Sequence, residues 1–96
     1  MGRVLRSFRD KDTEAVWQRR PSRRFDSVLR RVALRKLAML DAAEALADLR
    51  IPPGNRLEKL AGDRAGQHSI RVNQQWRICF RWTDAGPADV EITDYH

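Results

Sequence analysis

Cysteine, lysine and long apolar segments are all scarce in this sequence, and each scarcity excludes a class of protein. The single cysteine, Cys79, cannot form an internal disulfide or a cysteine-rich zinc site, which is typical of a reducing cytoplasm. No segment approaches the roughly 20 apolar residues of a membrane-spanning helix, and charges interrupt the amino-terminal region, so we expect neither a membrane span nor a signal peptide. Glycine-rich phosphate loops, metal-binding clusters and serine-nucleophile elbows are also missing, so we predict no cofactor and no metal.

Arginine, by contrast, is abundant. The 96 residues fit one domain over residues 1–96, and sixteen arginines and three lysines outnumber thirteen acidic residues, giving a net charge of +6 and a pI near 10.7. Guanidinium groups stay protonated, grip phosphates through two donors and stack on nucleobases. This composition predicts a nucleic-acid partner or a strongly acidic protein partner. Codon bias in a GC-rich genome is the alternative explanation, although it does not explain where the arginines lie.

The first half of the sequence has mainly helical periodicity. After "RVLRSF", whose alternation predicts a short first strand, "DKDTEAVWQRR" predicts a helix with Asp12 as its N-cap. Pro21 ends that helix, and Ser22 is placed to cap a second helix over residues 23–39. The predicted buried stripe of the second helix comprises Phe25, Leu29, Val32, Leu37 and Leu40. Asp41 is the predicted cap of a further turn, and "RIPPGN" is a loop because its prolines and glycine do not continue a helix.

In the second half, the apolar period changes from about 3.6 residues to 2. Four strand candidates with short connections follow one another: "RLEKL", "QHSIRV", "WRICFRW" and "ADVEIT". Helices followed by consecutive hairpins predict an α+β fold, in which two N-terminal helices pack on one face of a small antiparallel sheet.

The parity of the apolar residues predicts the register of this sheet. The residues expected on the buried face all carry even numbers: Ile70, Val72, Trp76, Ile78, Phe80, Trp82, Val90 and Ile92. The first hairpin then sets Arg71 opposite Arg77 on the other face. The second hairpin sets Arg77 opposite Thr93 and Arg81 opposite Asp89.

Two arginines directly opposite each other on a sheet repel, so the placement of Arg71 and Arg77 needs an explanation. One explanation is that Glu91 or Asp94 nearby neutralises them. The other, which we favour, is that the pair grips a phosphate group. Asp94 and Tyr95 prolong the last strand beside the pair, so we expect the polar carboxyl terminus at the rim of an arginine-lined face.

The residues at the carboxyl terminus have the chemistry needed to cleave RNA without a metal. The reaction requires a base for the 2′-hydroxyl, a cation for the charged phosphate and an acid for the departing 5′-oxygen. Arg77 and Arg71 can supply the cation, and His96 titrates near neutrality and can be acid or base. Asp94 can orient His96 or act as the base, while Tyr95 can donate a proton or stack on a nucleobase. From spacing alone, a polar surface without chemistry is the commoner explanation of such a terminus.

Further charged residues on the strands are candidates as well. Glu58 is a candidate base, and Lys59 a phosphate contact, if their strand borders the site. Arg81, on the same face as Arg77, is another phosphate contact. We expect His68 to be a packed histidine rather than a catalytic one, and the three tryptophans to belong to the core.

The sequence resembles a known family over nearly its whole length, and two segments carry the most specific part of the resemblance. "RLEKLAGDRAGQHSIRVNQQWRICFRW" followed by "VEITDYH" resembles the HigB-type toxins of bacterial toxin–antitoxin systems, within the RelE/ParE superfamily. The resemblance implies the same α+β fold and growth inhibition by ribosome-dependent cleavage of mRNA. It also implies that the partner is a HigA-type antitoxin with a helix-turn-helix, and that the toxin contacts DNA only through the complex with this antitoxin. Cleavage would take place in the A site of the 30S ribosomal subunit.

The resemblance assigns roles to individual residues. The terminal "DYH" matches catalytic positions of the family, and Arg77 matches its phosphate-binding arginine. Glu58 and Ala61 stand where many HigB-type toxins have a histidine and a lysine implicated in catalysis. In this respect the chain is similar to a subgroup that includes the mild toxin GraT. This similarity implies a ribonuclease of moderate activity, in which Glu58 takes the place of the missing histidine as the base.

Two other functions stay open at this point. A non-cleaving inhibitor would act by occupying the ribosome or its RNA, and a ParE-like protein would inhibit DNA gyrase. The terminal "DYH" argues against gyrase inhibition, because that subgroup generally lacks the catalytic residues.

Overall fold

Two helices precede a four-stranded antiparallel sheet, which confirms the α+β fold predicted from the change of period. The computed structural model describes residues 5–94. The helices are α1 (Lys11–Trp17) and α2 (Ser27–Ala42), and the strands are β1 (Glu58–Lys59), β2 (His68–Arg71), β3 (Arg77–Thr83) and β4 (Gly86–Thr93). The strands are hydrogen-bonded in chain order. Much of the connection from α2 to β2 consists of short 3₁₀ turns, at Leu46–Arg50, Pro53–Asn55 and Gly62–Arg64.

Both helices begin at an aspartate that caps the first turn, but not at the predicted residues. Asp10 accepts a backbone N–H of the first turn of α1 at 2.7 Å, and Asp26 accepts one of α2 at 2.8 Å. The predicted caps, Asp12 and Ser22, were therefore wrong. Ser22 Oγ instead donates to Asp12 Oδ1 at 3.0 Å, which ties the segment between the helices to α1.

The position of Phe25 explains why α2 begins later than predicted. Phe25 is buried, and its ring meets that of Trp76 edge-on with the centroids 5.3 Å apart. This contact lies before the first residue of α2, Ser27. The segment that carries Phe25 into the core is therefore not helical, although its apolar spacing matches that of the helix.

Asp41 does not begin the further turn that the sequence predicts. It lies in the last turn of α2, and its Oδ1 accepts the N–H of Leu5 at 3.0 Å. The following turn uses Asp48 instead, whose Oδ2 accepts the backbone N–H groups of Glu44 and Ala45, each at 3.0 Å. Asp41 thus fastens the amino-terminal segment to the helix layer.

The amino-terminal segment runs along β4 and forms only part of the predicted first strand. Arg6 N donates to Pro87 O at 2.8 Å. Val90 N donates to Ser7 O at 3.0 Å, and Phe8 makes a single parallel bridge to Val90. The earlier residues of the predicted strand lie outside the described part of the chain. β4 therefore has a hydrogen-bonded neighbour on each side.

The predicted register is confirmed in the β2–β3 hairpin and at the start of β3–β4. Ile70 lies opposite Ile78 on the buried face, and Arg71 lies opposite Arg77 on the other. Arg77 in turn lies opposite Thr93 of β4. The two arginines are therefore neighbours, as the parity argument requires.

A β-bulge changes the pairing at the far end of β3. Beyond Cys79, Arg81 lies opposite Ala88 and not opposite Asp89, so this part of the predicted register was wrong. Asp89 has a positive φ of 51°, and its N–H donates to Ser7 Oγ at 2.8 Å. The amino-terminal segment therefore stabilises the bulge by supplying a partner for this N–H group.

The core lies between the helices and the even-numbered face of the sheet. Its main members are Val16, Phe25, Leu29, Ala33, Leu37, Leu40, Leu49, Ile70, Val72, Ile78, Phe80, Val90 and Ile92. In the stripe of α2, Ala33 is buried while Val32 is only partly buried. Trp17, Trp76 and Trp82 are half-buried and pack against this core rather than lying within it. Residues 5–94 include no helix long and apolar enough to cross a membrane.

Replacing Asp26 by alanine should destabilise the fold by about 1 kcal/mol, because the N–H of Leu29 loses its capping partner. Urea unfolding followed by circular dichroism should show a lower midpoint with an unchanged slope. Ser27→Ala, at the exposed first residue of α2, is the control and should stay within about 0.5 kcal/mol. Equal losses for the two variants would contradict the assignment of Asp26 as the cap.

Candidate functional site

The sheet face opposite to the helices is organised around Arg77. Its side chain is only 15% exposed. Nε donates to Ser69 Oγ at 2.8 Å, and Nη2 donates to the backbone carbonyl of Arg56 at 2.7 Å. The same Nη2 lies 3.2 Å from Glu58 Oε1. Arg77 thus joins β3 to β2, to β1 and to the loop that precedes β1.

Arg71 lies beside Arg77 on β2 and adds a second positive charge. Its Nε donates to the carbonyl of Asn73 at 3.0 Å, within the β2–β3 turn. Among the residues that the structure describes, it forms no ion pair with a carboxylate. No carboxylate within residues 5–94 therefore pairs with its charge, which can attract an anionic ligand.

An open cavity of about 440 Å³ lies next to these two arginines. It is bordered by the loop before β1, by β1 and by the β2–β3 turn. Its lining residues are Arg56, Glu58, Arg71, Asn73, Gln74, Gln75 and Arg77. Among the described residues, three guanidinium groups outnumber the single carboxylate in the lining, so this lining is positive, and the amides add neutral donors and acceptors. Such a surface suits a phosphate group with a ribose or nucleobase beside it.

The end of β4 reaches the rim of the same cavity. Asp94 directly follows β4, and its Oδ2 accepts from Gln75 Nε2 at 3.1 Å. Since Gln75 lines the cavity, this bond places the Asp94 carboxylate at the rim. Tyr95 and His96 lie outside the described residues, so their positions stay predictions.

Glu58 is the carboxylate that pairs with Arg77, whereas Glu91 pairs elsewhere. Glu91 Oε1 lies 3.1 Å from Arg64 Nη1 and 3.8 Å from Arg9 Nε. The side chain of Glu58 is 54% exposed, so water screens its ion pair with Arg77 and the pair contributes little to stability. An anionic ligand can replace the Glu58 carboxylate while the hydrogen bonds to β2 and to the loop keep Arg77 in place.

Lys59 lies on the other side of the sheet edge. It is paired in register with His68, and the alternation along β1 separates its side chain from that of Glu58. Together with Arg50 it lines a separate cavity of about 440 Å³. His68 is half-buried, as predicted, and stacks on Phe80 with the ring centroids 6.3 Å apart. Burial, and then the charge of Lys59, lowers the pKa of His68.

Arg81 lies at the far end of β3, four residues or about 13 Å from Arg77 along the strand. Its guanidinium pairs with Asp89 at 3.4 Å and lies close to Gly66, where an added Cβ would come within 3.1 Å of Nη1. It does not line the cavity beside Arg77. The predicted site residues that do meet at this cavity are Arg71, Arg77, Glu58 and Asp94.

Two residues of the site were not predicted from the sequence. Arg56 lines the cavity with φ of 46°, and its carbonyl accepts from Arg77. Ser69 is fully buried and orients the Arg77 guanidinium. Ser69 could have been predicted from the alternation along the strands, because odd-numbered residues of β2 and β3 share the outer face and Ser69 therefore lies on the same face as Arg77. No comparable signal exists for Arg56, because it reaches the site from a loop.

Cys79 lies on the same outer face, between Ser69 of β2 and Glu91 of β4. It is 1% exposed, and burial raises the pKa of its thiol to about 11, against a smaller lowering effect of the Arg64 charge. The thiol is therefore protonated at neutral pH, and Cys79 packs beneath the charged residues instead of acting as a nucleophile.

The Cys79 thiol should react slowly with iodoacetamide in the folded protein at pH 8, because burial suppresses the thiolate. In urea the rate should rise by at least about 10²-fold, since the unfolded thiol has an ordinary pKa. Between pH 8 and 10, the folded rate should rise about tenfold per pH unit, whereas the unfolded rate should level off near pH 9. Mass spectrometry follows both time courses, and similar rates at pH 8 would contradict the burial of Cys79.

Comparison with known proteins agrees with the fold. Residues 6–96 match the family described as the RelE-like toxin of type II toxin–antitoxin system HigB. Toxin HigB-1 of Vibrio cholerae serotype O1 is 47% identical over 78 residues, which cover 80% of this chain and 82% of that protein. An uncharacterized protein of Haemophilus influenzae is 45% identical over 56 residues, which cover 58% of this chain and 55% of that protein.

The chain therefore belongs to the HigB-like family of RelE-like toxins, which confirms the resemblance found in its sequence. Its role is that of the toxin in a type II toxin–antitoxin system. Membership of such a system implies an antitoxin as its partner.

Proposed function

We propose that this toxin acts in the cytoplasm and inhibits translation and growth by cleaving mRNA on the ribosome. Its partner in this proposal is an antitoxin of the HigA type, with a helix-turn-helix. The observation that carries the proposal is the fixed side chain of Arg77, beside a cavity that holds two further arginines and one carboxylate. RNA cleavage needs a cation at the scissile phosphate, and Arg77 supplies it.

In the proposed reaction, a phosphate group of the mRNA enters the cavity and displaces the Glu58 carboxylate from Arg77. A base removes the proton of the 2′-hydroxyl, whose oxygen attacks the phosphorus. The bond to the 5′-oxygen breaks, and an acid protonates that oxygen, leaving a 2′,3′-cyclic phosphate and a 5′-hydroxyl. Because the Arg77 side chain is already held in place, it stabilises the developing negative charge with little reorganisation.

The acid that protonates the departing 5′-oxygen comes from the carboxyl-terminal residues in this proposal. Asp94 is bonded to Gln75 at the rim of the cavity, and two further residues of extended chain span at most about 7 Å. The imidazole of His96 supplies this proton, and the Asp94 carboxylate orients it. Tyr95 donates a proton or stacks on an unpaired nucleobase.

Glu58 has two successive roles in the proposal. In the toxin without RNA it neutralises Arg77, as the 3.2 Å ion pair supports. Once the phosphate has displaced it, its carboxylate lies beside the reacting groups and accepts the proton of the 2′-hydroxyl. A carboxylate is a weaker base than an imidazole, so we expect moderate cleavage.

The remaining basic residues bind RNA without taking part in proton transfer. Arg71 contacts the reacting phosphate or its neighbour. Lys59 and Arg81, which lie outside the cavity, contact the RNA further from the cleaved bond. The cavity is small and open, so the A site of the 30S subunit supplies the orientation that the toxin alone does not. DNA contact belongs to the antitoxin complex.

Occupancy of the ribosome without cleavage is the second candidate function. The Glu58–Arg77 ion pair favours it, because a carboxylate at this point lowers the positive potential that the transition state of cleavage requires. In that case the arginines bind RNA and block translation, and the mRNA stays intact.

Arg77→Ala should lower mRNA cleavage by about 10²- to 10³-fold, because the transition state loses its main cation. The assay combines purified ribosomes and a defined mRNA, and primer extension records new 5′ ends. Arg6→Ala is the matched control, because Arg6 is exposed and does not line the cavity. Cleavage at the unmodified rate by a normally folded Arg77→Ala protein would refute the proposed site.

A protein without Tyr95 and His96 separates the candidate functions. Its cleavage of mRNA is measured in the same assay, and thermal melting shows whether it still folds. Loss of both cleavage and toxicity supports the ribonuclease, and His96→Ala should reproduce most of it. Growth arrest with intact mRNA would favour occupancy. Loss of DNA supercoiling with intact mRNA would instead favour inhibition of gyrase.

Glu58→Gln should tighten the binding of a short single-stranded RNA by roughly two- to fivefold at low salt, because the variant no longer neutralises Arg77. Fluorescence anisotropy measures this change. Cleavage should nevertheless slow, since the amide cannot accept the 2′-hydroxyl proton. If cleavage rises together with affinity, Glu58 only neutralises Arg77 and is not the base.

A further inference from the structure

A second basic surface lies on the helix layer. A groove of about 360 Å³ lies between the end of α1 and the first half of α2, and we call it the helix groove. Its lining residues are Val16, Arg19, Arg20, Pro21, Ser27, Arg30, Arg31 and Leu34. The proposed RNA site does not use any of them. The two surfaces lie on opposite sides of the sheet, because the helices pack on the face away from Arg77.

Among residues 5–94, the lining of the helix groove includes four arginines and no acidic residue. Arg30 belongs to its framework, because Nη1 donates to two backbone carbonyls at 2.6 and 3.1 Å. Arg19, Arg20 and Arg31 are exposed, and within residues 5–94 they form no ion pair with a carboxylate. Asp12 and Glu14 line a neighbouring cavity together with Arg20, but neither forms an ion pair with an arginine of the helix groove within residues 5–94. Positive charges that lie close together without a carboxylate in ion-pair contact attract a partner that brings negative charge.

The helix groove also has apolar surface between its arginines. Val16, Pro21 and Leu34 contribute to its lining. An amphipathic segment matches this arrangement, because its apolar side chains cover the floor while its carboxylates pair with the arginines. An RNA backbone would satisfy the arginines only and would leave the apolar floor uncovered.

We propose that the helix groove is the docking site for an acidic amphipathic segment of the antitoxin. The proposal rests on the antitoxin partnership and not on RNA cleavage, so the two can fail separately. A segment bound in the helix groove lies on the opposite layer from Arg77. This contact therefore anchors the antitoxin without itself filling the RNA cavity.

The test uses the full-length toxin with the double substitution Arg20→Glu and Arg31→Glu, and the full-length antitoxin encoded beside its gene as the probe. Titration calorimetry at several salt concentrations should show an affinity at least about tenfold weaker than that of the unmodified toxin. The salt dependence should also become shallower, since the attraction between opposite charges is lost. Arg20→Ala with Arg31→Ala should give a smaller loss in the same direction.

Arg6→Glu is the matched control, because it reverses an exposed charge outside the helix groove and should leave the affinity within about twofold. Ribosome co-sedimentation and mRNA cleavage by the toxin alone, measured in parallel, should not change in the double variants. Unchanged antitoxin affinity in both double variants, with normal thermal unfolding, would overturn the proposal. Selective loss of ribosome binding would also overturn it and would assign the helix groove to ribosomal RNA.

Discussion

The immobilised guanidinium of Arg77 is the constraint on which the outer face of the sheet depends. Its hydrogen bonds to Ser69 and to the carbonyl of Arg56 join β2, β3 and the loop before β1. Arg56, in the loop before β1, and Glu58, in β1, therefore both line the cavity beside Arg77. A guanidinium held in this way loses little conformational freedom when it meets a phosphate, so the fold prepares the electrostatic part of the proposed chemistry before RNA arrives.

The two basic surfaces differ in how their charge is balanced. In the cavity, the exposed carboxylate of Glu58 holds the place that an anionic ligand would take, so binding there exchanges one anion for another. The described residues contribute no carboxylate to the lining of the helix groove, and its apolar floor adds a second requirement for any partner. Because the sheet lies between the two surfaces, the proposed contacts with RNA and with the antitoxin do not compete for the same atoms.

The sequence predicts the fold well where one local pattern dominates, and less well where a distant segment intervenes. The pairing of Arg71 with Arg77 followed from parity alone. The predicted pairing of Arg81 with Asp89 was wrong because the N–H of Asp89 donates to Ser7, which is far away in the sequence. The start of α2 was wrong for a similar reason, since Phe25 packs against the distant Trp76 from a position before the first residue of the helix.

The sequence by itself determined the α+β architecture, the register of β2 with β3 and the arginine-lined face, because periodicity is local and a slip of one residue would bury charged side chains. Only the tertiary structure decided that Glu58 pairs with Arg77, that Arg56 joins the cavity and that Lys59 lies outside it. These placements depend on how the loop before β1 folds back onto the sheet. Such a long-range contact leaves no periodic pattern in the residues that make it.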